Sequence, residues 1–422
     1  MTGMEEALAS RPDMASFVAA EAVPATSAEQ GIARGTVWFL ALSVGVIIVN
    51  LTAPQTLVGP IASDLGMLPA QAGLVGTASL LGYAAGLFFL VPLSDLVENR
   101  RLTVALLGAA VLAAFAAAAT RSAVPFLVLL FVLGAACSAI QVLVPMAAAM
   151  ARASERGRVV GDVMSGLMVG ILLSRPLASL VADLLGWRAF YLLSGASMAA
   201  LILLMRLRLP MRRPEARTRY PALIASLVIL LRREPMLRRR ALTAAFGMAA
   251  FSVFWTAVAL RLSAAPFGFD QRHIALFALA GASGAVVAPF AGRAGDRGWS
   301  RPLLVAAHCV TILAFGLAWL ADRTSGSMTP ALALLVLSAI VVDVGVVGDQ
   351  TLGRRAVNLL APEARGRVNA LFVGIFFLGG AAGSGVAGYA WAQGGWPLVC
   401  AAGAGFGALS LLSDLLGGSS QV

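Results

Sequence analysis

Residues 206–240 read RLRLPMRRPEARTRYPALIASLVILLRREPMLRRR and form the longest polar interruption of a strongly apolar chain. This stretch holds eleven arginines and only two acids, Glu215 and Glu234. When a membrane protein is inserted, arginines in short segments beside apolar spans are retained on the cytoplasmic side. The stretch therefore predicts a basic cytoplasmic linker in the middle of an integral membrane protein.

The composition agrees with a membrane protein. Apolar residues make up 59% of the chain and charged residues 12%, with a mean hydropathy of +0.88. Soluble domains carry roughly 25% charged residues. Segments long enough to cross about 30 Å of hydrocarbon as helices lie at 37–59, 70–91, 102–120, 123–147, 159–182, 188–207, 241–262, 273–291, 302–321, 330–351, 368–390 and 396–416. We therefore expect an all-α fold with six spans on each side of the linker.

The predicted domains follow from these spans. We expect a disordered cytoplasmic N-terminal tail (1–35), a six-helix bundle (36–207), the basic linker (208–240), a second six-helix bundle (241–416) and a cytoplasmic C-terminal tail (417–422). An even number of spans returns the chain to the side on which it began. We expect the protein to act as a monomer in the lipid bilayer.

Several other classes of protein are disfavoured. The net charge of +11 comes from arginines in short loops rather than on one helix face, so nucleic-acid binding is not expected. Cys137, Cys309 and Cys400 lie in separate apolar runs, and His273 and His308 in separate elements, so we expect neither a disulfide nor a metal site. The chain contains no lysine and hence no Walker A lysine. We expect no cofactor and no enzymatic activity.

The two bundles carry the same landmarks in the same order. Asp95 and Arg100 are followed 201 residues later by Asp296 and Arg301. At an offset of 209 residues, Gln141 matches Gln350, the RGRV of 156–159 matches that of 365–368, and the Gly-Trp of 186–187 matches that of 395–396. Several matches at one offset predict duplication of a six-helix unit. Repeats of this kind place a substrate site near the bilayer midplane, between the two units.

The loop GRAGDRGWSR at 292–301 resembles the signature loop of the major facilitator superfamily, and residues 91–100 resemble a weaker copy of it. The resemblance implies secondary transport by alternating access. It also implies a cytoplasmic gate that steadies the outward-facing state, formed by Asp95, Arg100, Asp296, Arg297 and Arg301. Carboxylate and guanidinium groups at helix ends form directional hydrogen bonds that suit this role. The alternative is a solvated loop whose charges only set the topology.

Two further stretches, NLTAPQ at 50–55 and GWR at 186–188, resemble the twelve-span drug:proton antiporters and sugar-efflux permeases of bacteria. This resemblance implies proton-coupled efflux of a small amphipathic compound, such as a drug, sugar or metabolite, across the bacterial inner membrane, with both termini cytoplasmic. The chain departs from that group because no arginine precedes Gly134, and because Ser174-Arg175-Pro176 replaces a glycine before the proline. Uptake by proton symport therefore stays open, as does a non-transporting sensor or scaffold.

Asp343 is the predicted proton-coupling residue. It lies deepest of the acids within a span, and an ionisable group there is retained at an electrostatic cost that usually marks function. Asp349 lies nearer the cytoplasmic boundary and is the second candidate. For both residues the alternative is a structural acid that is satisfied by a neighbouring helix.

In the family that the chain resembles, the first, fourth, seventh and tenth spans line the substrate cavity. The polar residues there are Asn50, Thr52, Gln55, Gln141, Trp255, Thr256 and Gln350. Their sparseness favours an amphipathic or weakly cationic substrate. Arg175, beside Pro176 in the fifth span, is a further candidate that pairs with an acid or attracts an anionic group. The alternative is an arginine that snorkels to the surface.

Three spans carry glycines four residues apart, at 82 and 86, 166 and 170, and 379 and 383. Small residues at this spacing allow helices to approach closely in lipid. We expect these three helices to slide against the opposite half.

Overall fold

The computed structural model describes residues 32–211, 219–324, 327–360 and 365–416, and the regular secondary structure in these ranges is helical. In chain order the α-helices are α1 Arg34–Thr52, α2 Val58–Asp64, α3 Leu74–Ala85, α4 Asn99–Ala119, α5 Ala123–Cys137, α6 Ile140–Met150, α7 Arg156–Leu185, α8 Trp187–Arg208, α9 Tyr220–Arg233, α10 Pro235–Ser263, α11 Gln271–Ala278, α12 Ser283–Asp296, α13 Ser300–Arg323, α14 Met328–Asn358 and α15 Arg365–Leu416. A π-helical turn, Gly86–Leu90, and a 3-10 turn, Val91–Asp95, continue α3. The predicted all-helical fold is confirmed for the described residues.

Ten helical stretches among the described residues are long and apolar enough to cross a membrane. The last of these, Gly366–Leu416, is interrupted at Gly395, whose φ of 60° and ψ of −153° are not helical. Gly186 has a similar conformation, with φ 84° and ψ 158°, between α7 and α8. Glycine adopts such a positive φ at little cost. The repeated Gly-Trp pair therefore marks the same sharp turn between helices twice.

The three helices that carry the glycine pairs, α3, α7 and α15, do contact the opposite half, but the glycines themselves pack against helices of their own half. A Cβ on Gly82 would lie 2.0 Å from the carbonyl oxygen of Phe131 on α5, and one on Gly166 2.2 Å from that of Ala41 on α1. In the second half, a Cβ on Gly383 would lie 2.1 Å from the carbonyl oxygen of Ala249. Glycine spacing predicts close approach but does not identify the partner helix.

The two halves meet along two helix pairs. The α7 helix packs on α11, and α3 packs on the first part of α15. We call the end of the bundle that carries Arg100 and Arg355 the basic end, and the end that carries Asp183 and Arg272 the far end. At the far end, Asp183 of the first half forms an ion pair with Arg272 of the second.

The contact between α3 and α15 is close. Ser384 donates a hydrogen bond to the carbonyl oxygen of Gly73 at 2.9 Å, and Thr77 donates one to that of Ala381 at 2.8 Å. A Cβ on Gly388 would lie 2.5 Å from the backbone nitrogen of Gly73. These contacts, together with the ion pair of Asp183 and Arg272, hold the two halves together between the centre of the molecule and the far end.

Predictions for residues 1–31, 212–218 and 417–422, which cover most of the tails and part of the linker, lie outside the described residues. Within the linker, Tyr220–Arg233 form α9 at the basic end, and the residues from Pro235 onwards already belong to α10. There the Tyr220 hydroxyl donates a hydrogen bond to the carbonyl oxygen of Phe89 at 2.9 Å, and Leu223 and Leu227 are buried. The linker therefore packs on the bundle with an apolar helix face.

Candidate functional site

A cluster of buried polar and aromatic side chains lies where the two halves meet near their centre; we call Gln55, Arg175, Phe251, Trp255 and Asp343 the central site. Arg175 comes from α7 of the first half and is only 3% exposed. Its guanidinium carbon lies 4.2 Å from the centre of the Trp255 ring and 5.3 Å from that of Phe251, both on α10. Arg175 therefore crosses from one half to the other.

Arg175 has few polar partners in this position. Its Nη2 donates to Oε1 of Gln55 at 3.4 Å, while its Nε is buried without a hydrogen-bond partner. The next residue, Pro176, lies inside α7 and removes one helical hydrogen bond. The alternative of a snorkelling arginine does not match this placement, because the guanidinium lies on aromatic rings inside the protein.

Asp343 of α14 completes the central site. Its Oδ1 accepts a hydrogen bond of 2.9 Å from the indole Nε1 of Trp255, and the residue is 3% exposed. Its Oδ2 lies beside Gly281 and Gly284, where an added Cβ would come within 3.3 and 3.4 Å. Arg175 and Asp343 are close enough for their charges to interact. Trp255 thus bridges a cation on its face and a carboxylate on its edge.

Other predicted cavity residues lie around this site. Thr52 donates to Ser174 at 2.7 Å, next to Arg175, and Thr256 is 3.1 Å from Ser384. Gln350 is half-buried on α14. Asn50 lies apart from the central site, because its side chain contacts Ser194 and Met198 of α8 within the first half.

Gln141 lines a different space, a cavity of about 450 Å³ between the halves at the basic end. Its walls include Asp95, Pro145 and Leu223 from one side and Arg367 and Asn369 from the other. Gln141 accepts from Asn369 at 3.5 Å and donates to the hydroxyl of Tyr83 at 3.2 Å. Tyr83 in turn packs edge-on against Phe377, with ring centres 4.7 Å apart. The contacts of Gln141 with Asn369 and of Tyr83 with Phe377 join the two halves beside the cavity.

The predicted gate residues all lie at the basic end. Arg100 donates to the carbonyl oxygens of Arg206 at 3.3 Å and Leu209 at 2.9 Å, and so joins the start of α4 to the end of α8. Asp95 faces the charge of Arg367 from the opposite half.

In the second half, Asp296 accepts a hydrogen bond from Nε of Arg355 at 3.0 Å, while Arg297 and Arg301 are exposed. The two loops therefore make different contacts despite their repeated sequence.

The second predicted acid, Asp349, is buried within the second half and not at the central site. Its Oδ1 lies 3.1 Å from Nε2 of His308 on α13, and both residues are buried. The neighbouring pair of Arg240 and Asp414 is also buried, at 2.7 Å. Sequence reasoning missed the role of His308 as a partner; its only signal was an ionisable residue inside an apolar span.

The long apolar helices and the buried polar site between two halves define a membrane transporter. Residues 38–347 match the sequence pattern of the Major Facilitator Superfamily, which is most of the chain. The chain belongs to this family. The resemblance of its loop sequences at the family level is thus confirmed, while the drug:proton antiporter subgroup stays a prediction.

Curated relatives agree with the family. The chain is 35% identical over 380 residues to the uncharacterized transporter YgaY of Escherichia coli strain K12, and the match covers 88% of this chain and 93% of the relative. It is 34% identical over 363 residues to the transporter SCO4007 of Streptomyces coelicolor, covering 86% of this chain and 83% of that protein. These similarities indicate a multi-pass bacterial membrane protein.

Solved structures share the fold. The nucleoside transporter NupG superposes with a TM-score of 0.69 at 16% identity, over 90% of this chain and 98% of NupG. A bacterial homologue of the human lysosomal transporter Spinster, in an inward-facing and unoccupied conformation, superposes with a TM-score of 0.65 at 16% identity, over 91% of this chain and 94% of the homologue. At such identities the likeness extends to the fold alone.

Proposed function

We propose that the protein is a proton-coupled secondary transporter that moves a small organic compound by alternating access. The observation that carries the proposal is Asp343, a carboxylate buried at the contact between the halves and held by Trp255 opposite Arg175. When the halves rearrange, the neighbours of such a group change. Its affinity for a proton then differs between the two arrangements, which is the requirement for coupling.

The variant Asp343→Asn tests this role. Asparagine keeps the shape of the side chain but removes the exchangeable proton, so substrate exchange should persist while uphill transport is lost. A compound is first identified by its accumulation in cells that lack or overproduce the protein. Proteoliposomes are then given a pH step, and both net accumulation and counterflow of that compound are measured.

If Asp343→Asn accumulates the compound as the wild-type protein does, the proton-carrying role is reassigned to Asp349, the second acid of the proposal. Asp349 is hydrogen-bonded to His308. The double variant Asp349→Asn with His308→Gln then separates that pair from the central site. A lack of pH-driven transport by the wild-type protein would overturn proton coupling as a whole.

We further infer twelve spans in two six-helix bundles, residues 36–207 and 241–416, with the termini and the linker in the cytoplasm. Ten stretches have spanning length, the last contains the two helices that meet at Gly395, and α11 and α12 form a further helical segment. In a cysteine-free background, an impermeant reagent applied to intact cells should label Arg121→Cys and leave Arg233→Cys unlabelled. The reverse pattern would contradict this topology.

The gate residues support alternating access at the basic end. The contacts of Arg100 with the end of α8 and of Asp296 with Arg355 join neighbouring helix ends and can be broken and re-formed. Asp296→Asn should lower turnover and shift the resting protein towards the inward-facing state without unfolding it. Unchanged transport and unchanged accessibility of the cavity from both sides would remove Asp296 from the gate.

The direction of transport follows from the sign of coupling. The sequence favours efflux by exchange for protons, in which a cationic or amphipathic substrate would replace the proton on Asp343. Uptake together with protons is the second candidate. The position of Arg175 favours uptake over exchange. A cation bound near Asp343 would also lie near the buried guanidinium of Arg175 and be repelled by its positive charge.

A further inference from the structure

The central site contains a cation that is not fully satisfied. Arg175 is buried, its one side-chain hydrogen bond is a long contact with Gln55, and its Nε has no hydrogen-bond partner. Asp343 receives its hydrogen bond from Trp255 and not from Arg175. A buried guanidinium with free donors is costly unless an acceptor reaches it. The arrangement thus leaves donors for an acceptor that enters between the halves.

We propose that the central site binds a small organic monoanion, a carboxylate on an apolar body, and that this anion is carried together with one proton on Asp343. The proposal rests on the proposed transport function and names its substrate class. A carboxylate matches the fork of donors on a guanidinium. The aromatic rings of Phe251, Trp255 and Phe277, which pack on one another, offer an apolar surface for its body.

The proton follows from charge balance. An ionised Asp343 would offset the positive charge of Arg175 across the Trp255 ring. An anion that pairs with Arg175 leaves the carboxylate of Asp343 buried without compensation. Proton uptake by Asp343 restores neutrality, so the anion and the proton enter the site together and leave it together.

Few other charged groups act on Asp343. Among the described residues that surround it, α10 contributes the uncharged Trp255, and the segment of α11 and α12 contributes Gly281 and Gly284. Arg175 of α7, on the face of the same Trp255 ring, is the charged group that acts on Asp343. The protonation of Asp343 is therefore tied to whatever occupies Arg175.

A second set of arginines lines the contact between the halves towards the basic end. The Nε of Arg354 on α14 is buried without a hydrogen-bond partner. Arg367 lines the cavity there with Gln141 and Asn369. Guanidinium groups thus lie both at the central site and beside the cavity at the basic end, as expected in a protein that carries an anion.

The test compares compounds that differ only in charge. Phenylacetate, phenylacetamide and phenethylamine are titrated into the purified full-length protein, and hexanoate, hexanamide and hexylamine form a second set. Calorimetry in buffers of different ionisation enthalpy gives both the affinity and the protons taken up. We expect the carboxylate of at least one set to bind at least tenfold more tightly than its amide and amine, with uptake of about one proton per anion.

One variant gives opposite results for the two substrate charges. Asp343→Asn leaves Arg175 without its counter-charge, so the carboxylate should bind at least as tightly as to the wild type and without proton uptake. A cationic substrate that replaces a proton on Asp343 would instead lose its binding. Arg175→Gln should abolish carboxylate binding, while Arg175→Lys should keep the preference for the anion at lower affinity.

The chain offers a matched control for these variants. Arg323 stacks on Trp319 at 4.3 Å, much as Arg175 stacks on Trp255, but it lies at the exposed far end of α13. Arg323→Gln should leave binding unchanged. Because Arg175→Gln is a buried change, the thermal unfolding of each variant is recorded, and Arg175→Lys serves if the glutamine variant is unfolded.

The proposal is overturned if neither carboxylate binds more tightly than its amide, or if Asp343→Asn abolishes carboxylate binding. These outcomes are distinct from failure of the transport function, since binding is measured without a membrane gradient. Carboxylate binding without proton movement in proteoliposomes would leave the anion site standing and remove the coupling. Proton-coupled transport that prefers the amines would support the coupling and rule out the anion site.

Discussion

Trp255 is the residue on which the central site depends most directly. The face of its ring lies under the guanidinium of Arg175, and its indole N–H is bonded to Asp343. Tryptophan combines the strongest attraction for a cation among the aromatic side chains with a hydrogen-bond donor on its edge. One side chain can therefore hold a cation from one half and a carboxylate from the other half in a fixed relation.

Trp255→Phe separates these two contacts. Phenylalanine keeps a ring for Arg175 to stack on but removes the donor to Asp343, which costs about 1–3 kcal/mol when the acceptor stays buried. We expect the pH dependence of transport to shift and the rate of pH-driven transport to fall at least several-fold. The control is Trp319→Phe, which alters only the exposed stack on Arg323. An unchanged pH profile would show that the indole N–H does not govern Asp343.

The sequence identified Asp343 and Arg175 one at a time, because a charged residue inside an apolar run stands out in any window. It also identified Trp255 as a cavity residue, but not as the common partner of these two charges. The contact depends on how three helices are rotated about their axes, which hydropathy does not record. For the same reason the pairing of His308 with Asp349, 41 residues apart, was missed.

At the scale of helices, the spans were predictable because a membrane imposes their length and apolar character. The tenth span was expected at 330–351, and α14 runs over Met328–Asn358. The additional turns include Arg354 and Arg355, whose charges placed them outside the apolar run from which the span was predicted. Which helices pack together was not predictable. The glycine pairs were assigned to the wrong interface because a glycine permits the close approach of any neighbouring helix, from either half.

Gly383 lies at a close contact between α10 and α15. A Cβ there would lie 2.1 Å from the carbonyl oxygen of Ala249, so Gly383→Ala must push the two helices apart. Over-packing of this kind costs about 1–3 kcal/mol. We expect a lower apparent Tm in detergent and weaker expression. Gly316→Ala on α13, where nothing lies within 4 Å of the added Cβ, is the matched control and should not lower the Tm.

At the scale of the whole molecule, the two halves are closed against each other at the far end and leave a cavity between them at the basic end. Close backbone contacts join α3 to α15 beyond the central site, whereas Asp95 and Arg367 stand across the cavity. The family and the repeated sequence both predicted two related units. Which end is closed was not predictable, because one sequence must be compatible with both arrangements.

The ion pair of Asp183 and Arg272 lies between the halves at the far end, and alternating access requires that it break when this end opens. Asp183→Arg replaces attraction by repulsion. Since Arg272 is exposed, we expect only a shift of about two- to fivefold towards states that are open at the far end. The double variant Asp183→Arg with Arg272→Asp re-forms the pair with reversed charges and should restore the closed population.

Spin labels on Leu185→Cys and Leu276→Cys report this shift, because both side chains are exposed and lie near the ion pair on opposite halves. The three native cysteines are replaced, and the distances between the labels are measured by pulsed electron paramagnetic resonance. The single variant should gain a longer component that the double variant loses. If the single and double variants show the same distribution as the labelled parent protein, the ion pair does not control the far end, and the contacts between α3 and α15 must hold it closed instead.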